Sequence, residues 1–218
     1  MSDVVLIRPG CTDFDEQNRI QGSIGLPLNS RGREQVQRMV DRLHDVPLEV
    51  IYTAPSEPAL STARAIGAEL GVEVKELDGL RNFDQGLWEG LQLQDVRRKY
   101  PKVFKQWRDS PETICPPQGE TIVEAVDRIR GALRRPMKRK SHFAVVASEP
   151  IATFVRCVVN DQKLCAFELC NGTQQDENLE FLHAGAERVN GFGIHGSHRP
   201  TAHVFGSQAD VPARNGNH

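Results

Sequence analysis

At 218 residues, with 39% hydrophobic and 26% charged residues and a formal net charge of −2, the chain has room for one α/β domain with a full core and a tail. That balance provides no global field to select nucleic acid or an anionic membrane, and no stretch approaches the roughly 20 apolar residues of a membrane span. The five cysteines, Cys11, Cys115, Cys157, Cys165 and Cys170, are odd in number, widely spaced and without a C-x-x-C pair. That is the usage of reduced thiols in a cytoplasmic protein, and the N-terminus is read as opening directly into the first strand, with no export segment.

The first stretch, Val4-Val5-Leu6-Ile7-Arg8-Pro9-Gly10, is a short apolar run ended by a cation and a Pro-Gly break. It reads as a strand buried on both faces, with Arg8 at its C-terminal end, where open α/β sheets bind ligands. Cys11 to Gly22 is a polar loop, and Ser30 is the expected N-cap of a helix whose Val36, Met39, Val40 and Leu43 recur at helical spacing. Val50-Ile51-Tyr52 makes a second strand. A helix carrying Ala59, Leu60, Ala63, Ile66 and Leu70 then stops at Gly71, and Val72, Val74 and Leu77 make a third strand. Leu80 to Ser110 reads as an inserted segment holding Trp88 and Trp107, with a helix from about Gln92 to Tyr100 and a break at Pro101. Pro116 to Thr121 is a loop before a helix that buries Ile122, Ala125, Val126 and Ile129. Phe143 to Ala147 is another buried strand, ending at Ser148-Glu149-Pro150, so two strand ends face one crevice. Ile151 to Val159 is a buried helix, and Leu179-Glu180-Phe181-Leu182 a last short strand. Strands alternating with helices at this spacing specify a three-layer α/β/α sandwich with a largely parallel central sheet.

The basic run Arg134-Arg135-Pro136-Met137-Lys138-Arg139-Lys140 has no interleaved aromatic residue and is read as a solvated helix end, not a nucleic-acid patch. Residues 1–183 form the domain, and 184–218 a Gly/His-rich tail expected to be disordered. Four of the seven histidines (His195, His198, His203 and His218) lie there, spaced without Cys or carboxylate partners, so no metal site is assigned.

Several linked segments resemble the motifs of the histidine phosphatase superfamily, the phosphoglycerate mutase-like fold. The family's R-H-G-E-T-x-x-N-x-x-x-R-x-Q-G and P-L-T-x-x-G are similar to Arg8 to Asp15 with Arg19 and Gln21-Gly22, and to Pro27 to Gly32. S-P-L-x-R-A-x-x-T-A resembles Ala54 to Ala63, and L-x-E-x-x-x-G-x-W-E-G resembles Leu80 to Gly90. P-x-G-E-S/T resembles Pro117 to Thr121, and V-x-H-G-G resembles Val146-Ala147-Ser148-Glu149-Pro150. These matches in order, the first two patterns counting as one motif, imply the fold, and with it phosphatase or phosphomutase chemistry without a cofactor.

The reactive positions depart from that pattern. Where the resemblance implies a nucleophilic histidine stands Pro9; where it implies a second phosphate-clamping arginine, Pro58; the leaving-group acid is Asn82, the second pocket histidine Ser148, and the phosphate-loop asparagine Asp15. Of the core set only Arg8 remains. Phosphate monoester hydrolysis needs up to ~10²¹-fold acceleration, and deleting a nucleophile costs on the order of 10⁶ in well-studied hydrolases. A missing general acid removes roughly a further 10² to 10⁴. Substitutes are not at hand. No cysteine has arginine six positions on, as Cys-based phosphatases require, and Ser148 has no histidine beside it in sequence.

The expectation is therefore a pseudophosphatase, a binding or regulatory module with no catalytic residues at Pro9, Pro58, Asn82 and Ser148. Arg8, Ser148, Asn82 and Gln21 form a residual anion pocket, unless Arg8 merely neutralises Asp15 or Glu149. The expected partner is a phosphorylated small molecule or a protein, a homodimer remaining open, with neither nucleic acid nor membrane involved. The alternative is an active phosphatase or phosphomutase-like enzyme using non-family residues such as Ser148 or Cys11. Trp88 and Glu89 are expected to be structural, and Gly10, Gly22, Gly32, Gly86 and Gly90 to serve turns and close packing.

Overall fold

A computed structural model describes residues 2–103, 105, 115–139, 141–162 and 178–184. The domain is that of the unit spanning Met1–Ala186; the tail expected over 184–218 and the cysteines Cys165 and Cys170 lie outside the described residues, apart from Ala184.

Five strands, β1 (Ser2–Ile7), β2 (Val50–Thr53), β3 (Glu73–Glu76), β4 (Phe143–Val146) and β5 (Leu179–Ala184), form one sheet in the order β3-β2-β4-β1-β5. β1 pairs with β4 in parallel, Val4 opposite Phe143 through Ile7 opposite Val146. β4 pairs in turn with β2, and β2 with β3, also in parallel. β5 closes the far edge antiparallel to β1, Ile7 opposite Leu179. The central strands are apolar because both their faces are covered: Val4 to Ile7 and Phe143 to Val146 are at most 2% exposed.

The helices are α1 (Asp13–Glu16), α2 (Ser30–Leu43), α3 (Ala59–Leu70), α4 (Leu93–Lys99), α5 (Ile122–Lys138) and α6 (Ile151–Val159). α3 packs on β2, β3 and β4 and against α2, while α6 packs on β1 and β5 and against α5. Right-handed crossovers place these two pairs on opposite faces, which gives the three layers expected. The chain leaves β1 towards β2 and leaves β4 towards β5. The sheet therefore has its topological switch point between β1 and β4, at their C-terminal ends.

Local chemistry accounts for the boundaries. Asn29, not Ser30, is the N-cap of α2, its Oδ1 accepting from the Gly32 N–H at 2.8 Å; both residue types can cap, and the amide oxygen is the one in reach. α3 ends on Gly71, whose φ of 68° is cheap only for glycine. α5 opens on a capping box between Thr121 and Glu124 and runs to Lys138, so the basic stretch is a helix end as read, Lys140 lying outside the described residues. β3 is shorter than expected, leaving Val72 and Leu77 just outside it. Tyr100 closes α4, so the helix breaks at Pro101 as expected, and residues 101–103 are helical again, a new turn that the fixed φ of Pro101 permits. Cys11, Cys115 and Cys157 are in no disulfide. Among the described residues no helix is long and apolar enough to cross a membrane.

Candidate functional site

The parallel register carries Arg8 after β1, Ala54 after β2 and Ser148 after β4 to one edge of the sheet. Backbone bonds lock these ends together: the Ala147 N–H donates to Ile7 O, and the Ala54 N–H to Val146 O. Pro58, the N-cap of α3, follows β2 on the same side. The segment carrying Asn82 docks beside α6 through the edge-to-face pair Phe83–Phe154, with centroids 5.8 Å apart.

Arg8 is 8% exposed and held at every level. Its backbone N–H donates to Asn178 O at 2.8 Å, and the Asn178 Nδ2 donates to the carbonyls of Arg8 and Pro9 at 3.2 and 3.1 Å. Its Nε donates to Glu149 Oε1 at 2.7 Å, and Nη1 and Nη2 both donate to Glu180 Oε2 at 3.1 Å. The other oxygen of Glu149 is anchored by the N–H and hydroxyl of Thr153, at 3.2 and 2.8 Å. Glu180 also faces Arg156, 3.8 Å away. Among the described residues two cations and two anions therefore form a formally neutral cluster at the strand ends.

Asp15 lies elsewhere. Its Oδ2 accepts from the N–H and hydroxyl of Thr12 at 2.7 and 2.8 Å, a capping box for α1, so the carboxylates that face Arg8 are Glu149 and Glu180. Glu180 and Asn178 escaped the sequence reading. The usable signal was a lone acidic residue inside an otherwise apolar strand, directly opposite Leu6 of the strand that ends in Arg8. Gln21 spends its amide N–H groups on the carbonyls of Ile24 and Glu57, at 3.1 and 3.2 Å, pinning the 21–24 loop to the β2–α3 connection.

The remaining polar groups are neutral. Asn82 Nδ2 and Oδ1, Ser148 Oγ, Ser56 Oγ and Gln85 Oε1 are buried without a hydrogen-bond partner among the described residues. Interiors rarely leave such groups bare. No histidine among the described residues accompanies Ser148. His142 sits at the opposite end of β4, 3.2 Å from Asp3, and His44 pairs with Asp45 on the surface. Nor do three His, Cys, Asp or Glu side chains converge into a metal-binding group among the described residues.

Around this core the quoted motifs are structural. Trp88 is 2% exposed, packed with Val96 in a small cluster under the loops. Glu89 accepts from the Ser23 N–H and hydroxyl at 2.7 and 2.8 Å and from the Gln85 N–H at 3.2 Å. Glu120 takes the Asp84 N–H at 3.0 Å and a two-point grip from Arg128 at 3.0 and 2.6 Å. Gly22, Gly86 and Gly90 have positive φ. A Cβ on Gly10 would strike the Gly32 carbonyl, and one on Gly32 the Cys11 carbonyl, so this pair lets the β1 loop lie on the start of α2.

Comparison with known proteins agrees with this geometry. A family model described as "Histidine phosphatase superfamily (branch 1)" matches residues 4–172. Phosphoserine phosphatase 1 of Hydrogenobacter thermophilus is 29% identical over 146 residues, 67% of this chain and 69% of the relative. The uncharacterized phosphatase PhoE of Bacillus subtilis is 31% identical over 62% of this chain and 64% of its own length, and phosphoglycerate mutase-like protein 4 of Arabidopsis thaliana 30% identical over 62% and 60%. The matches thus span about two thirds of these relatives, or somewhat less. Among solved structures, a mycobacterial glucosyl-3-phosphoglycerate phosphatase complexed with VO3 superposes with a TM-score of 0.70 at 22% identity, covering 78% of this chain and 85% of that one. The Bacillus stearothermophilus protein YhfR gives 0.70 at 25% identity, over 78% and 84%. The chain belongs to the histidine phosphatase superfamily.

Proposed function

We propose that this member of the histidine phosphatase superfamily does not turn over phosphate esters and acts instead as a binding module, its crevice at the β1/β4 strand ends taking a polar ligand. The observation that carries the reading is Pro9. The residue next to the buried Arg8 has no ring base and no backbone N–H, and no described histidine lies at this edge of the sheet. Without a nucleophile the phosphatase activities named for the relatives have no first step here, and the positions of the clamp, acid and second base hold Pro58, Asn82 and Ser148. The neutral buried groups of Asn82, Ser148, Ser56 and Gln85 favour a ligand recognised through hydroxyl or amide groups.

The test is phosphate release from p-nitrophenyl phosphate and O-phosphoserine by the full chain, beside a variant carrying Pro9→His, Pro58→Arg, Asn82→Glu and Ser148→His together. The reading expects release at the blank rate from the chain as it stands, and measurable release from the restored variant. Release from the unmodified chain that disappears in Ser148→Ala or Cys11→Ala would replace it with catalysis by non-family residues.

A further inference from the structure

We infer that Glu149 is an internal substitute for phosphate: its carboxylate fills the anion position on Arg8 and excludes phosphorylated ligands from the crevice. This rests on the proposed non-hydrolytic reading and says which class of ligand that crevice refuses. Glu149 directly follows Ser148, between the end of β4 and the start of α6.

The Glu149 carboxylate behaves as a ligand would. One oxygen takes the Arg8 Nε–H at 2.7 Å, and the other takes an N–H and a hydroxyl from Thr153 in the first turn of α6. It therefore combines an arginine, a helix N-terminal amide and a hydroxyl, the donor types that bind phosphate oxygens. Glu180 occupies the opposite side of the same guanidinium. A phosphate dianion approaching Arg8 would have to displace a bonded carboxylate and then stand beside two negative charges.

This changes the expectation of an Arg8-based anion pocket. Arg8 and Ser148 do come to one edge of the sheet, but three of the cation's five N–H donors already meet carboxylates from β5 and from the β4–α6 turn. A ligand that fits carries no phosphate and meets the neutral atoms of Asn82 and Ser148.

Titration calorimetry with inorganic phosphate and with orthovanadate, on the full chain, tests the assignment. The wild type is expected to give no binding heat up to tens of millimolar anion. Glu149→Gly should bind both probes at least about tenfold more tightly, and Glu149→Gly/Arg8→Ala should lose that gain. Glu149→Gln, which keeps the side-chain shape and removes the charge, should show a smaller gain and carries the test if the glycine variant fails to fold. Equal, absent binding in all four proteins would overturn the inference, as would wild-type binding as tight as that of Glu149→Gly. Neither result touches the non-hydrolytic reading, which falls only if the unmodified chain releases phosphate from an ester.

Discussion

Replacing Arg8 with alanine separates a structural clamp from an open binding cation. The guanidinium is 9% exposed and bridges Glu149, 31% exposed, and Glu180, 22% exposed. Removing one member of a buried ion cluster costs about 3–5 kcal/mol, because the charges left behind are uncompensated. Both carboxylates keep some solvent, Thr153 still donates to Glu149, and Arg156 still stands 3.8 Å from Glu180. The expected loss is therefore nearer about 2–3 kcal/mol, allowing for solvent screening. For a domain of this size that is roughly a 5–10 °C fall in Tm. Thermal melts and urea unfolding of wild type, Arg8→Ala and Arg8→Ala/Glu149→Gln measure it, and the double variant should recover part of the loss because the two sites are coupled. An Arg8→Ala protein as stable as the wild type, or more so, would refute the reasoning, since that is how an arginine held open for a ligand behaves.

The same contacts predict the behaviour of other sites. Ser148→Ala removes a hydroxyl that makes no hydrogen bond among the described residues and should leave stability unchanged or raise it by up to about 1 kcal/mol in urea unfolding. Gly10→Ala must push a methyl group into the Gly32 carbonyl and should cost about 1–3 kcal/mol in the same assay. Thr121→Ala loses the α5 capping box, about 0.5–2 kcal/mol. The Thr121 backbone N–H, and then its hydroxyl, hold the Glu124 pKa below its ordinary 4.5. That contribution is present above 4.5 and is lost as pH falls through the lowered value, so the variant's stability curve should slope less steeply on the acid side. Adding Glu149→Gly to the four-residue restored variant should raise its phosphate release by about tenfold or more, read as kcat/KM, by freeing Arg8 for substrate.

How far the sequence reveals this protein depends on the range over which each feature is encoded. The apolar run before Arg8, its partner before Ser148, the helix face of Val36, Met39, Val40 and Leu43, and the stop at Gly71 are local patterns, and the structure contains each of them. The capping partner at α2 was legible only to within one residue, because Asn29 and Ser30 are adjacent and both able to cap. Pro101 ends α4 as expected, and a new turn begins on it because proline is equally at home after a helix and at the first turn of the next. The surroundings of Arg8 were the least legible. Glu149 is 141 residues away and Glu180 172, and only the β4–β1–β5 pairing brings both to one guanidinium. Asp15, close to Arg8 in sequence, is spent on the end of its own short helix.

The central claim is that the fold of a phosphatase has been kept while its chemistry has been removed. Its most direct test is a progress curve of phosphate release at micromolar concentrations of the unmodified chain, against a panel of phosphomonoesters, with Arg8→Ala as control. The account predicts curves that coincide with the protein-free blank for both proteins. A linear release that scales with wild-type concentration and vanishes in Arg8→Ala would contradict it, because the arginine would then be gripping a substrate instead of Glu149 and Glu180.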